Sequence, residues 1–284
     1  MTIELITASS FSIQELTELY NQTRVDYLVP MPINAERLQR YVDDFDIDLV
    51  RSFVARDSGG QVLGLGMLGV RKYLAWITRL GVLPVTRRSG AGGMLMDHML
   101  AEADELDIGE THLEVIQSNH PAHNLFVKKG FRDVDTYLVM RRAPQSIADP
   151  LFGRVEWLDK EQALQRLHSY YWHLTWITAF ESMLNAPDTQ GMRIKFPNGN
   201  TGWLVYRLQK FSISHLIMHT EQGDAVEIGT QLLRHLYTRY PRHDTYAENI
   251  HDQDPHLPVF KALSFFHNFS RIEMRRLAAN NHQE

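Results

Sequence analysis

Leu80-Gly-Val-Leu-Pro-Val-Thr-Arg-Arg-Ser-Gly-Ala-Gly-Gly93 is the stretch from which the rest of the chain can be understood. It ends an apolar, strand-like run from Leu74 to Val82 and opens a helical pattern from about Ala91 to Leu106. A strand, a tight turn and a helix N-terminus in succession make an anion site. Glycines at 90, 92 and 93 let the backbone approach a ligand, and the first N–H groups of the helix have no intrahelical partner. The helix dipole adds partial positive charge there, and Arg87 and Arg88 add full charges suited to phosphate oxygens. The turn lacks the Lys-Ser/Thr ending of a nucleoside-triphosphate loop, and no acidic residue follows at the dinucleotide-ribose spacing. The expected ligand is a pyrophosphate other than ATP or NAD.

Outward from this turn, Ile3 to Ile6 reads as a strand, and Ser12-Ile-Gln-Glu15 is a capping box opening a helix. A second short helix starts at Asn34, and Phe53–Asp57, a Ser-Gly-Gly turn and Val62–Val70 read as strand, turn and strand. Beyond the turn helix come a strand at Thr111–Val115, a helix at Pro121–Lys129 ended by Gly130, and a strand at Tyr137–Arg141. Hairpin strands followed by helix-separated strands predict an α+β fold, a three-layer α/β/α arrangement around a mixed sheet.

A chain of 284 residues is long for one core. The pattern lapses between Ala143-Pro144 and Asp149-Pro150, which predicts domains at 1–143 and 154–284 joined by a linker at 144–153. An internal echo supports two similar domains. Phe126-Val-Lys-Lys-Gly-Phe131 with Met140-Arg-Arg142 recurs, 134 residues later, as Phe260-Lys-Ala-Leu-Ser-Phe265 with Met274-Arg-Arg276. A helix from Gln162 to Phe180, a strand at Ile213–His219 and a helix at Gln231–Tyr237 fall where such a copy would place them.

A net charge of −5 offers no bulk attraction to nucleic acid or an anionic membrane, so neither is an expected partner. The absence of cysteine excludes disulfides, thiolate metal sites and a cysteine nucleophile. With no basic-apolar leader at the N-terminus and no run of about 18 apolar residues, the expected location is cytoplasmic. The histidines at 251, 256 and 267 match no zinc spacing. No metal is expected, and His251-Asp-Gln-Asp-Pro-His256 reads as a polar loop before the last helix.

Val82-x-Pro84-x-x-Arg87-x-x-Gly90-x-Gly92 resembles the acetyl-CoA signature of the GCN5-related N-acetyltransferase (GNAT) superfamily. Asn119-x-x-Ala122-x-x-Leu125-Phe126-x-Lys128-x-Gly130-Phe131 resembles its second motif, in the usual order and at the usual distance. The resemblance implies two tandem GNAT-like domains, each a mixed, mostly antiparallel twisted sheet flanked by helices. It implies that N–H groups from Arg88 through Ser89, Gly90, Ala91 and Gly92 to Gly93 hold the CoA pyrophosphate. It also implies that Leu80, Gly81 and Val82 align the pantetheine arm and thioester, with Asn119 touching that arm and Phe126 beside it. An acceptor pocket between the first two helices and the sheet would be lined by Tyr27, Met31 and Trp76.

Acyl transfer to an amine requires a neutral amine, a polarised thioester carbonyl and a leaving thiolate. Glu114 shares a side of its strand with His112, and the family often places a general-base glutamate there, so it is the catalytic candidate. The Val82 amide would sit near the thioester oxygen. Phe126 stands where many relatives carry a tyrosine proposed as general acid, and it has no proton to give. A thiol of pKa about 8.5 still leaves tolerably as thiolate. Water or Tyr137 could stand in.

In the second half the place of the glycine-rich turn is taken by His219-Thr-Glu-Gln-Gly-Asp-Ala-Val-Glu-Ile-Gly229, where Glu221, Asp224 and Glu227 oppose a pyrophosphate. That half is expected to bind no CoA, and to pack on the first domain, wall the acceptor site or form a homodimer. The leading expectation is an enzyme moving acetyl from acetyl-CoA to a primary amine of a small molecule, amino acid or peptide. The main alternative is a non-catalytic acyl-CoA-binding sensor, and a structural adaptor comes third.

Overall fold

The computed structural model describes residues 2–29 and 32–278. It divides into two compact units: one holds residues up to Asp135 and from Ile272 onward, the other Thr136–Arg271.

In the first unit, β1 (Ile3–Thr7), β2 (Ile47–Asp57), β3 (Val62–Arg71) and β4 (Leu74–Val82) form an antiparallel series. β2 starts six residues earlier than the apolar pattern suggests, because Ile47 and Asp48 pair with Gly69 and Leu68 of β3. The helix α1 (Ile13–Gln22) carries the expected capping box, Ser12 with Glu15, and α2 (Ala35–Asp44) is capped by Asn34. After the glycine-rich turn, α3 (Ala91–Glu105) returns the chain to β5 (Glu110–Ile116), parallel to β4. α4 (His120–Lys128) follows. Leu95, Met96 and Met99 of α3 pack on Phe53, Leu68 and Ile77 of the sheet, all 3% exposed or less. On the other face Leu16 of α1 and Leu38 of α2 are fully buried.

The second unit repeats this plan. β7 (Arg154–Leu158), β8 (Thr189–Lys195), β9 (Thr201–Leu208) and β10 (Ser212–Gln222) run antiparallel. α7 (Ala225–Arg239) leads to β11 (Asp244–His251), which is parallel to β10. α3 and α7 have the same length, 15 residues. The single helix expected over 162–180 is instead two, α5 (Lys160–Leu167) and α6 (Phe180–Asn185). Thr175 and Thr178 hydrogen-bond the local backbone between them, a competition that β-hydroxyl residues win against continuing the helix.

The echo is structural. In α4 and in α8 (Leu257–Ala262) the amide of the second phenylalanine donates to the carbonyl of the first: Phe131 to Phe126 at 3.1 Å, Phe265 to Phe260 at 3.0 Å. A left-handed residue closes each helix, Gly130 (φ 88°) and Ser264 (φ 64°). The unit boundaries depart from the expected 143 and 154. β6 (Arg132–Arg142) pairs its later residues with β11 and sends Met140 into the second core. β12 (Phe266–Leu277) reaches the first unit, where Met274 joins the core and the amide of Ala278 donates to Gly109 O at 3.0 Å. Each unit is thus closed by the last strand of the other repeat. No helix among the described residues is long and apolar enough to cross a membrane.

Candidate functional site

The site of the first unit begins where β4 and β5 part. Their pairing ends at Ile77 and Leu113, while β4 continues paired to β3 through Gly81 and Val82. From Thr78 onward, therefore, one edge of β4 is not covered by β5, and apart from Leu80 O, which accepts from Arg24 at 3.0 Å, its backbone is available to an extended amide-bearing ligand.

A β-bulge lies at the same place, with the β3–β4 register shifting between the Met67–Thr78 and Leu65–Gly81 pairs. Strand alternation puts Trp76 and Thr78 on the face of α1 and α2, and Ile77 on that of α3. Arg79 would follow Ile77, but its φ of 53° within the bulge turns it to the α1–α2 face. There its guanidinium lies 4.0 Å from the Tyr41 ring centre and 4.6 Å from that of Tyr20, and donates to the Tyr20 hydroxyl. Burial alone would lower the pKa of Arg79, but the phenols of Tyr41 and Tyr20 more than offset it. The Tyr41 hydroxyl shares a 2.6 Å hydrogen bond with Thr78, and burial pushes its pKa up to about 12. Glu114, one residue past the last β4–β5 pair, is half-buried and acts on Tyr41 electrostatically. His112 shares its face and stands between Glu110 (3.4 Å) and the buried Glu273 (3.5 Å).

The glycine-rich turn then leads into α3. Gly90 is the N-cap, in the left-handed region at φ 92° and with no side-chain cap, and Arg88 precedes it at φ 71°. The amide of Ala91 donates to Ser89 Oγ at 3.3 Å, while those of Gly92 and Gly93 lie in the first turn, beyond reach of an intrahelical carbonyl. A Cβ on Gly92 would stand 3.4 Å from Val82 Cγ2, so the helix start and the end of β4 nearly touch. The outer side of the turn opens on a cleft of about 450 Å3 lined by Asp57, Leu63, Arg87, Arg88 and Ser89. Arg88 is exposed, but the fork of Arg87 is held by Asp26 at 2.5 and 2.6 Å.

The other expected residues are distributed differently. Asn119 is the N-cap of α4, accepting from the Ala122 amide at 3.4 Å and donating to the Tyr27 hydroxyl at 3.3 Å. Tyr27 is therefore placed beside α4, with the Arg24 guanidinium 4.1 Å from its ring centre. Trp76 is 5% exposed and packs against Tyr41 and Phe45, so it belongs to the core. Phe126 is likewise core, 6% exposed and edge-on to Phe131. Met31 lies outside the described residues. Tyr137 belongs to the second unit, is fully buried, and donates to His173 O at 3.4 Å. Sequence reasoning missed Tyr20, Arg24, Asp26, Tyr41 and Arg79. Only Arg79 carried a signal, as the one charge in the run Leu74–Val82.

At the corresponding turn of the second unit, Asp224 caps α7 and accepts from the Glu227 amide at 2.8 Å. Glu221 is held by Arg193 at 2.8 Å and Arg166 at 3.8 Å, cations that no local stretch of sequence revealed. The 251–256 segment is a loop ahead of α8 in which Asp252, Gln253 and Pro255 are exposed but both histidines are buried. His251 is 4% and His256 2% exposed, and His256 bridges Asp254 (2.9 Å) and Thr220 (3.0 Å).

The Acetyltransferase (GNAT) family model matches residues 13–131. A GCN5-related N-acetyltransferase from Sphaerobacter thermophilus has a similar structure, with a TM-score of 0.72, 13% identity, and coverage of 97% of this chain and 95% of its own. A tandem GNAT protein from the clavulanic acid biosynthesis pathway aligns with a TM-score of 0.66 and 16% identity, over 98% of this chain and 99% of its own. No curated protein sequence matches the chain.

Proposed function

We propose that the chain is a tandem-domain member of the GNAT superfamily and that its first unit is an acetyl-CoA-dependent N-acetyltransferase acting on a primary amine. The observation that carries this reading is the parting of β4 from β5 at Ile77–Leu113 directly before a glycine-capped helix N-terminus. The open edge of β4 suits the amides of a pantetheine arm, and the amides of Gly92 and Gly93, with Arg88, suit a pyrophosphate.

In the reaction, Glu114, directly or through one water, takes the proton that leaves the amine nitrogen as it bonds to the thioester carbon. The Val82 N–H faces the developing oxyanion. The carbon–sulfur bond then breaks and the thiolate leaves without a proton from Phe126, which sits in the core. The second unit binds no acyl-CoA in this reading, because the carboxylate of Asp224 already occupies the amide that a phosphate would need.

The test is calorimetric titration of acetyl-CoA into the wild type and Arg88→Glu. Binding near one per chain, weakened in the variant, is expected, and a wild type that fails to bind overturns the assignment. The lack of an acid at Phe126 favours a second reading, a non-catalytic acyl-CoA sensor. Release of free CoA in the presence of an acceptor amine separates the two.

A further inference from the structure

Arg79 and Arg24 both flank the buried Tyr20, with guanidinium carbons 4.6 and 5.3 Å from its ring centre. Among the described residues neither has a carboxylate partner. Arg79 meets the phenols of Tyr20 and Tyr41, and Arg24 meets Leu80 O at 3.0 Å and the rings of Tyr20 and Tyr27. The Nε of each is buried without a hydrogen-bond partner. Two guanidinium groups gathered without an anion is a costly arrangement, since a cation withdrawn from water needs a charged or fully hydrogen-bonded partner. The nearby acids are otherwise engaged. Asp26 holds Arg87, and Glu114 stands on the β5 side beside Tyr41.

This pair lies on the α1–α2 face of β4, before the turn that begins at Pro84, so it is separate from the candidate pyrophosphate site. We infer that Arg79 and Arg24 recognise a carboxylate on the acceptor, which is then an amine of amino-acid type. The planar forks match a carboxylate, and the Tyr20 and Tyr41 rings flank Arg79 as a flat slot. The bulge at Arg79 accounts for the geometry, because regular alternation would bury this cation in the apolar α3 face. The inference rests on the acyltransferase reading: Glu114 on one strand would meet the amine while Arg79 on the next would hold the acid.

The experiment compares the common amino acids with their carboxamides and aminophosphonate analogues, both as acceptors with acetyl-CoA and as ligands by saturation-transfer NMR. The carboxylates should exceed the carboxamides by about 10- to 100-fold in kcat/KM. Arg79→Gln should raise KM for the carboxylate acceptor by a similar factor, leaving acetyl-CoA affinity unchanged, and Arg79→Lys should recover part of the loss; Arg24→Gln should raise the same KM. Carboxamides used as well as carboxylates, preference for the phosphonates, or no amino acid bound by the wild type each overturns the inference. These outcomes leave the acyltransferase reading standing if acetyl-CoA binds. If acetyl-CoA does not bind, that reading falls, and the NMR comparison on the wild type still decides the carboxylate site, even where a variant fails to fold.

Discussion

Asp26 grips Arg87 fork to carboxylate, at 2.5 and 2.6 Å, across 61 residues of sequence. The arginine expected to meet phosphate oxygens therefore has an internal competitor. Arg87 holds the Asp26 carboxyl below its usual range. A depressed carboxyl keeps its ion pair above its unfolded pKa and loses it only as pH falls through the folded one. We expect Asp26→Asn to tighten acetyl-CoA binding, and the gain to persist between about pH 5 and 8. Calorimetry over that range checks it, and weaker binding in the variant would mean that Asp26 shapes the site instead of competing for it.

Gly81 faces Thr23, so that an added Cβ would fall 2.5 Å from Thr23 Oγ1 and 2.8 Å from its Cβ. Thr23 cannot swing aside without breaking the 2.7 Å bond from its hydroxyl to Tyr20 O. Gly81→Ala should cost about 1–3 kcal/mol of stability, read by urea unfolding, together with weakened acetyl-CoA binding. A fully stable variant would show that the end of α1 can yield.

Glu114→Gln keeps the shape of the side chain and removes the base. A fall in kcat of about 10²- to 10⁴-fold is expected, with acetyl-CoA affinity unchanged by calorimetry. An unaltered kcat would take Glu114 out of the chemistry.

His215 in the second unit has its pKa pushed down to about 4, first by burial and then by Arg207. The unfolded chain therefore binds a proton that the folded chain refuses. Stability is unaffected above the ordinary histidine pKa of 6.5 and falls as pH drops from there toward 4. The loss should not exceed about 3 kcal/mol, the size of a shift from 6.5 to about 4. His215→Asn tolerates the φ of 53° and should flatten this dependence in urea unfolding at pH 7 and 5. An unchanged slope would assign the acid sensitivity to other groups.

Much of the first unit was legible because its signals are local. The Ser12 capping box, Asn34, the 15-residue α3 and the pairing of Phe126 with Phe131 each depend on residues close in sequence. The second unit was harder to read where the 162–180 segment looked continuously helical, and hydroxyl-to-backbone bonds at Thr175 and Thr178 interrupt it. Trp76 and Phe126 were expected at the ligands and are core, since an aromatic side chain in sequence does not declare whether a helix will cover it.

The order of the elements in the first unit, the glycine-rich turn before α3 and the duplicated plan follow from the sequence alone, because periodicity, glycine placement and a constant offset of 134 residues are properties of the chain itself. Tertiary structure alone decided which last strand closes which unit, that Asp26 rather than solvent meets Arg87, and that a bulge turns Arg79 toward Tyr20 and Tyr41. Each of these depends on strand register or on partners far apart in sequence. A one-residue change in strand register reverses the face a side chain occupies, and nothing local to Arg79 records it.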